Sequence, residues 1–106
     1  MTEQRKSIRA PDFLKEAANI MEERAREYDQ PGGERSIPAT VAAFNAITGR
    51  GKNGDSAYAL TEAEGWLFMQ ILKDVRLFSA PGFHVDSAKD CVAYAALKAE
   101  AKSTGS

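Results

Sequence analysis

The sequence predicts an all-α protein, four helices in a single domain. Four segments repeat apolar residues at spacings of three and four, the period of a helix that buries one stripe. Turn clusters separate them: Pro31-Gly32-Gly33, the glycines around Arg50, and Pro81-Gly82. No segment alternates with the two-residue period of a strand, and no internal repeat is present. Residues 11–101 are expected to form the domain, with 1–10 a flexible arm and 102–106 a frayed tail.

The first helix opens at Pro11, whose fixed φ suits a first helical turn. Leu14, Ala17, Ala18, Met21, Ala25 and Tyr28 keep the helical period to its end. Lys15, Glu16, Glu22, Glu23 and Glu27 make the other face charged, a solvated surface with pairs such as Glu23 to Arg26. The cluster from Asp29 to Gly33 ends this helix. The second helix is short: Pro38 sits in its first turn with Ser36 or Ile37 near the cap, Val41, Phe44 and Ile47 form its apolar edge, and Gly49 stops it. Arg50 to Ser56 reads as a polar surface loop. Its lysine lacks the G-x-x-x-x-G-K-[ST] spacing of a phosphate cradle, and no strand precedes it.

The stretch from Leu60 to Glu100 is the best marked, and it reads as an antiparallel helical hairpin. Thr61 caps the third helix, and Glu64, three residues on, completes a capping box. Pro81 cannot donate to the helical ladder and Gly82 tolerates positive φ, so the chain reverses there toward a fourth helix starting near Asp86 or Ser87. On the third helix Leu67, Ile71, Val75 and Phe78 form the expected core face, flanked by a cation-bearing stripe of Trp66, Met69, Lys73 and Arg76. On the fourth, Asp86, Asp90 and Tyr94 recur beside an apolar stripe of Ala88, Cys91, Val92, Ala95 and Ala99. Closing the hairpin can set Lys73 and Arg76 across from Asp86 and Asp90, with His84 in the loop.

At 106 residues the chain can bury roughly two thirds of its unfolded surface, so it needs no disulfide. The single cysteine, Cys91, fits a core position in a reducing compartment. Lys and Arg number 14 against 15 Asp and Glu, and the net charge of −1 offers no global attraction to nucleic acid or anionic membrane. Any anion must be held locally. With no apolar run of about 18 residues and no signal-like start, the expected location is the cytoplasm, without a membrane partner.

Each polar residue of the hairpin has a plain structural reading beside a chemical one. His84 is a loop or capping residue, or part of a site. Asp86 immediately precedes a helical pattern and is an N-cap, or a ligand. Asp is a poor mid-helix residue, so Asp90 calls for a partner, either Lys73 or Arg76 in an ion pair, or a metal. Tyr94 and Trp66 pack, or one of them faces a base.

Three blocks carry a resemblance: E-R-A-R-E-Y-D-Q-P at 23–31, L-T ahead of a helix ending I-L-K-D-V-R-L at 71–77, and H-V-D-S-A-K-D-C-V-A-Y-A-A-L at 84–97. Together they resemble an uncharacterised domain family of tailed phages whose last block reads H-x-D-N-x-x-D-x-A-G-Y-A-A. That family is in turn distantly similar to the MazG-like all-α pyrophosphohydrolases, which cut nucleoside triphosphates to monophosphate and pyrophosphate with Mg²⁺. The resemblance implies a MazG-like helical bundle that assembles as a homo-oligomer. It implies ligand contacts from Arg26, Tyr28, Lys73, Arg76, His84, Asp90 and Tyr94, and Mg²⁺ ligands at Asp86 and Asp90. The chain departs from the phage pattern at Asp29 and Ala93, where glycines are usual, and at Ser87, where asparagine is. Against the E-x-x-D of the MazG-like enzymes, Asp90 matches the Asp but Ser87 replaces the Glu. Mid-helix three offers Gln70 and Lys73 in place of paired glutamates.

Mg²⁺ is held through one or two carboxylates plus substrate phosphates, and hydrolysis also needs an oriented water, so the missing glutamates favour binding over turnover. The expected function is a phage-encoded protein that binds or sequesters a nucleotide or nucleotide-derived signal, as in counter-defence. Lys73, Arg76 and Arg26 would hold phosphates, and Tyr28, Tyr94 or Trp66 would face the base. One alternative is a Mg²⁺-dependent nucleoside triphosphate pyrophosphohydrolase. The other is an oligomeric helical inhibitor of a host protein, using the acidic first helix and the Arg50 to Ser56 loop. Trp66, Phe68 and Met69 are the apolar surface expected to enter the oligomer.

Overall fold

The computed structural model describes residues 8–27, 36–51 and 58–106, the side chains of 24–27 excepted. Four helices, α1 (Ala10–Glu27), α2 (Ser36–Thr48), α3 (Glu62–Ser79) and α4 (Val85–Ser103), make one domain, with no strand among the described residues. They pack in sequence as a row: α1 lies on α4, α4 on α3, and α3 on α2. Each of α1 and α2 therefore leans mainly on one neighbour.

The capping box at α3 is formed in full. Thr61 Oγ1 accepts from the Glu64 amide at 3.1 Å, and Glu64 Oε1 accepts from the Thr61 amide at 2.8 Å. Hydrogen bonds to the carboxylate from Thr61, its amide first and its side chain second, with a smaller contribution from the Lys102 charge, hold the Glu64 carboxyl below its usual range. Helix α3 stops at Ala80, and Gly82 turns the chain with φ +77°. The cap of α4 is His84, not Asp86, because the helix begins at Val85, two residues earlier than a cap at Asp86 would place it. Its far end is a Schellman motif: Gly105 takes φ +83°, Ser106 N–H donates to the Ala101 carbonyl at 2.8 Å, and Gly105 N–H donates to Lys102 at 3.1 Å. The Ser106 carbonyl then accepts from Ala63 N–H at 3.3 Å. The last five residues, expected to fray, thus cap α4 and meet the start of α3.

The faces of the hairpin differ from the expected ones. Trp66, 1% exposed, and Ala63 face α4, where Tyr94, Leu97 and Ala101 complete the core, with Met21, Ile37 and Met69 packed against it. The Trp66 and Tyr94 rings stack with centroids 5.7 Å apart. Leu67, Ile71, Val75 and Phe78, expected in the core, are 42, 50, 56 and 85% exposed. On α4 the buried stripe is Ser87, Tyr94, Leu97 and Ala101, with Asp90 between them, while Ala99 is exposed. A helix with apolar residues on two sides can turn either toward its partner; here the aromatic pair decides. Leu14 and Ala18 of α1 are likewise exposed, and Ala17 is its buried residue.

Helix α2 is tied to α3 by two devices. The Asn45 side chain accepts from Leu60 N–H at 2.8 Å and donates to the Leu60 carbonyl at 3.0 Å, so both ends of its amide are used. Gly65 lets the helices approach: a Cβ there would lie 2.7 Å from Val41 Cγ2 and 2.8 Å from Ile37 Cγ2. Both neighbours are β-branched and stiff at χ1. Gly65→Ala is expected to destabilise by about 1–3 kcal/mol through overpacking, offset in part by the better helix propensity of alanine. Amide hydrogen exchange should locate the damage, rising across 36–48 more than within α4. Unchanged exchange in α2 would mean that the contact is not needed.

Candidate functional site

Of the residues singled out in the sequence, the seam between α3 and α4 brings Lys73 and Asp90 together. Lys73 Nζ lies 2.9 Å from Asp90 Oδ2, with side chains 15 and 17% exposed. One position along, Cys91 Sγ donates to Asp74 Oδ1 at 3.0 Å. Lys98 Nζ donates to Gln70 Oε1 at 2.9 Å. At the loop end, the Ser87 amide donates to His84 Nδ1 at 3.3 Å, and the Ser87 hydroxyl lies 2.6 Å from the same nitrogen. Accepting at Nδ1 leaves the ring proton of neutral His84 on Nε2. Ser87, 1% exposed, is thereby satisfied.

Asp90 has its partner, and it is the ammonium of Lys73. His84 is a helix cap. Tyr94 is buried and stacked on Trp66. Arg76 and Asp86 are exposed, and among the described residues neither has an ion-pair partner. Tyr28 lies outside the described residues, as does the side chain of Arg26. Of the two carboxylates named for Mg²⁺, Asp90 is paired with Lys73 and Asp86 is exposed. Among the described residues no three His, Cys, Asp or Glu side chains converge on one point.

Cys91 is held protonated. Burial, then the bond to Asp74 and the charge beyond it, push its thiol up to about 11. The unfolded thiol titrates near about 8.5, so above that pH the native state binds the extra proton and stability falls as pH rises toward 11. This contribution is fully present below the unfolded value. Denaturation midpoints across pH 8–11 should therefore decline less steeply for Cys91→Ser, which keeps a donor for Asp74 but does not titrate. Parallel slopes for the two proteins would remove the thiol from the pH response. At neutral pH Cys91 should also react slowly with alkylating agents, since only the thiolate attacks.

A cavity of about 690 Å³ opens at the opposite end of the hairpin, at the start of α3. Arg50, Lys98 and Lys102 line it, with Phe44, Tyr58 and Glu64. The Arg50 guanidinium sits 5.7 Å from the centre of the Phe44 ring and donates from Nη1 to the Tyr58 carbonyl at 3.3 Å. None of the three cations is among the ligand residues expected from the sequence. The available signal is the one-turn spacing of Lys98 and Lys102 on α4; Arg50 joins them only through the fold.

A second hollow, of about 500 Å³, lies between α2 and α3 and is almost wholly apolar, lined by Ile37, Val41, Phe44, Phe68 and Ile71. No described helix is long and apolar enough to cross a membrane. Comparison with protein-family models, with curated proteins and with solved structures finds no match to this chain.

Proposed function

We propose that this chain is an oligomeric helical binding protein: copies join through the α2–α3 face, and the assembly holds a nucleotide or nucleotide-derived ligand without hydrolysing it. The observation that carries the assembly is the amount of apolar surface on that face. Leu67, Phe68, Ile71, Val75 and Phe78 of α3, with Phe44 and Ile47 of α2, leave roughly 800 Å² of apolar side chain in water, the share of one partner in a standard interface. Helix α2 adds a second argument. It has no charged residue from Ser36 to Thr48, yet Val41 is its one buried residue. An uncharged helix that carries Ile37, Val41, Phe44 and Ile47 belongs under more cover than one neighbour gives.

Binding in place of turnover is supported by the Lys73–Asp90 pair, which occupies the carboxylate that the pyrophosphohydrolase alternative needs for Mg²⁺. The ligand class is supported by the resemblance to phage and MazG-like proteins and by the cationic cavity at α3. The competing reading is a helical inhibitor that lays the same apolar face on a host protein.

Light scattering coupled to size exclusion separates the two. Self-assembly predicts a discrete oligomer at micromolar concentration, with a melting temperature that rises with protein concentration. A stable monomer at those concentrations would end the self-assembly reading and favour the host-protein one.

A further inference from the structure

The cavity at the start of α3 is, we infer, a nucleotide site in which Arg50, Lys98 and Lys102 hold the phosphates and Tyr58 stacks on the base. It rests on the ligand reading above and moves it away from Lys73 and Arg76. Lys73 is committed to Asp90, whereas three cations meet at this cavity in a chain whose net charge is −1. The one carboxylate among the lining residues, Glu64, is engaged by the Thr61 amide in the capping box.

The cations are already positioned. Lys98 and Lys102 stand one turn apart on one face of α4. Lys98 is steadied by Gln70 at 2.9 Å, and Lys102 is close enough to Glu64 to help hold that carboxyl down. Stacking on Phe44 and one bond to the Tyr58 carbonyl orient Arg50, and that bond takes one of its five N–H donors. Thr61 and Ala63, at the N-terminal end of α3, also line the cavity, so the positive end of the helix dipole adds to the same field. Tyr58 is 67% exposed, an aromatic ring left in water beside the cations. Leu60 and Leu67 supply apolar contact. The volume of about 690 Å³ falls within the span of about 300–1,000 Å³ usual for small-molecule sites.

Titration calorimetry on the full chain with ATP, GTP, CTP, UTP and inorganic pyrophosphate tests this. At least one nucleotide should bind, and Arg50→Ala and Lys102→Ala should each weaken it about tenfold or more, while Arg76→Ala changes it less than about twofold. Lys102 is exposed, so its variant keeps the fold even if Arg50→Ala disturbs the turn; circular dichroism checks both. Tyr58→Ala should weaken the nucleotide and leave pyrophosphate unchanged. An equal loss for both ligands would overturn the stacking role and with it the nucleotide assignment. Nucleotide binding that survives both cation substitutions would overturn this site and leave the ligand reading standing. Binding of none of the five probes would overturn both.

Discussion

Trp66→Ala is expected to lower the unfolding free energy by about 3–5 kcal/mol, the cost of emptying a large aromatic site in a core that relaxes only in part. Few residues share the load. Trp66 is 1% exposed, and the described core around it consists of Ala63, Tyr94, Leu97 and Ala101, with Met21, Ile37 and Met69 packed against it. Alanines cannot swing inward to fill the space of an indole, so most of the cavity should persist. The stack on Tyr94, at 5.7 Å between centroids, is lost as well, and such aromatic pairs add about 0.5–1.5 kcal/mol beyond their area. Against a total of about 5–15 kcal/mol for a domain of this kind, the loss is a large fraction of the stability. Trp66 is the only tryptophan, so its own fluorescence cannot follow the variant, and helical dichroism against denaturant is the suitable measure. Trp66→Phe should lose less than half as much. A midpoint for Trp66→Ala within about 1 kcal/mol of the parent would contradict the packing described, since emptied aromatic sites cost several times that.

The boundaries of the fold were legible because they are written in local chemistry. Thr61 and Glu64 announce the start of α3, Pro81-Gly82 its end, and Gly49 the end of α2. The facing of the helices was not legible. Leu67, Ile71, Val75 and Phe78 make as good an apolar stripe as Trp66, Met69 and Leu77, and a single helix holds no information on which side meets a neighbour. That choice is made by the pairing of Trp66 with Tyr94 across the seam, and by the small residues Ala63 and Ala101 in the same core.

The polar residues divide in the same way. The Lys73–Asp90 pair follows from helical spacing on two antiparallel helices, so it could be anticipated. The roles of His84 and Ser87 depend on a shift of two residues in the cap, and the sequence pattern does not resolve boundaries so finely. Arg50 meets Lys98 and Lys102 only after three helices are placed, and no local pattern reports such a meeting.

A row of helices in place of a closed bundle explains why so much of α3 is uncovered, and it makes Ile71→Glu the most informative substitution for the proposed assembly. Ile71 lies near the middle of α3 and of its exposed stripe, half-exposed in the single chain. A two-fold axis near this residue would run the two α3 helices antiparallel. On such an axis one substitution enters twice, and the two new carboxylates face each other in apolar surroundings. Burying them unpaired costs several kcal/mol, and a loss of about 4 kcal/mol already raises a dissociation constant about a thousandfold. The expected result is a monomer at micromolar concentration, seen by light scattering, whose helical content matches that of the parent because the face is exposed in the single chain. Ile71→Leu should remain assembled. An Ile71→Glu protein that keeps the parental oligomer would place the interface elsewhere.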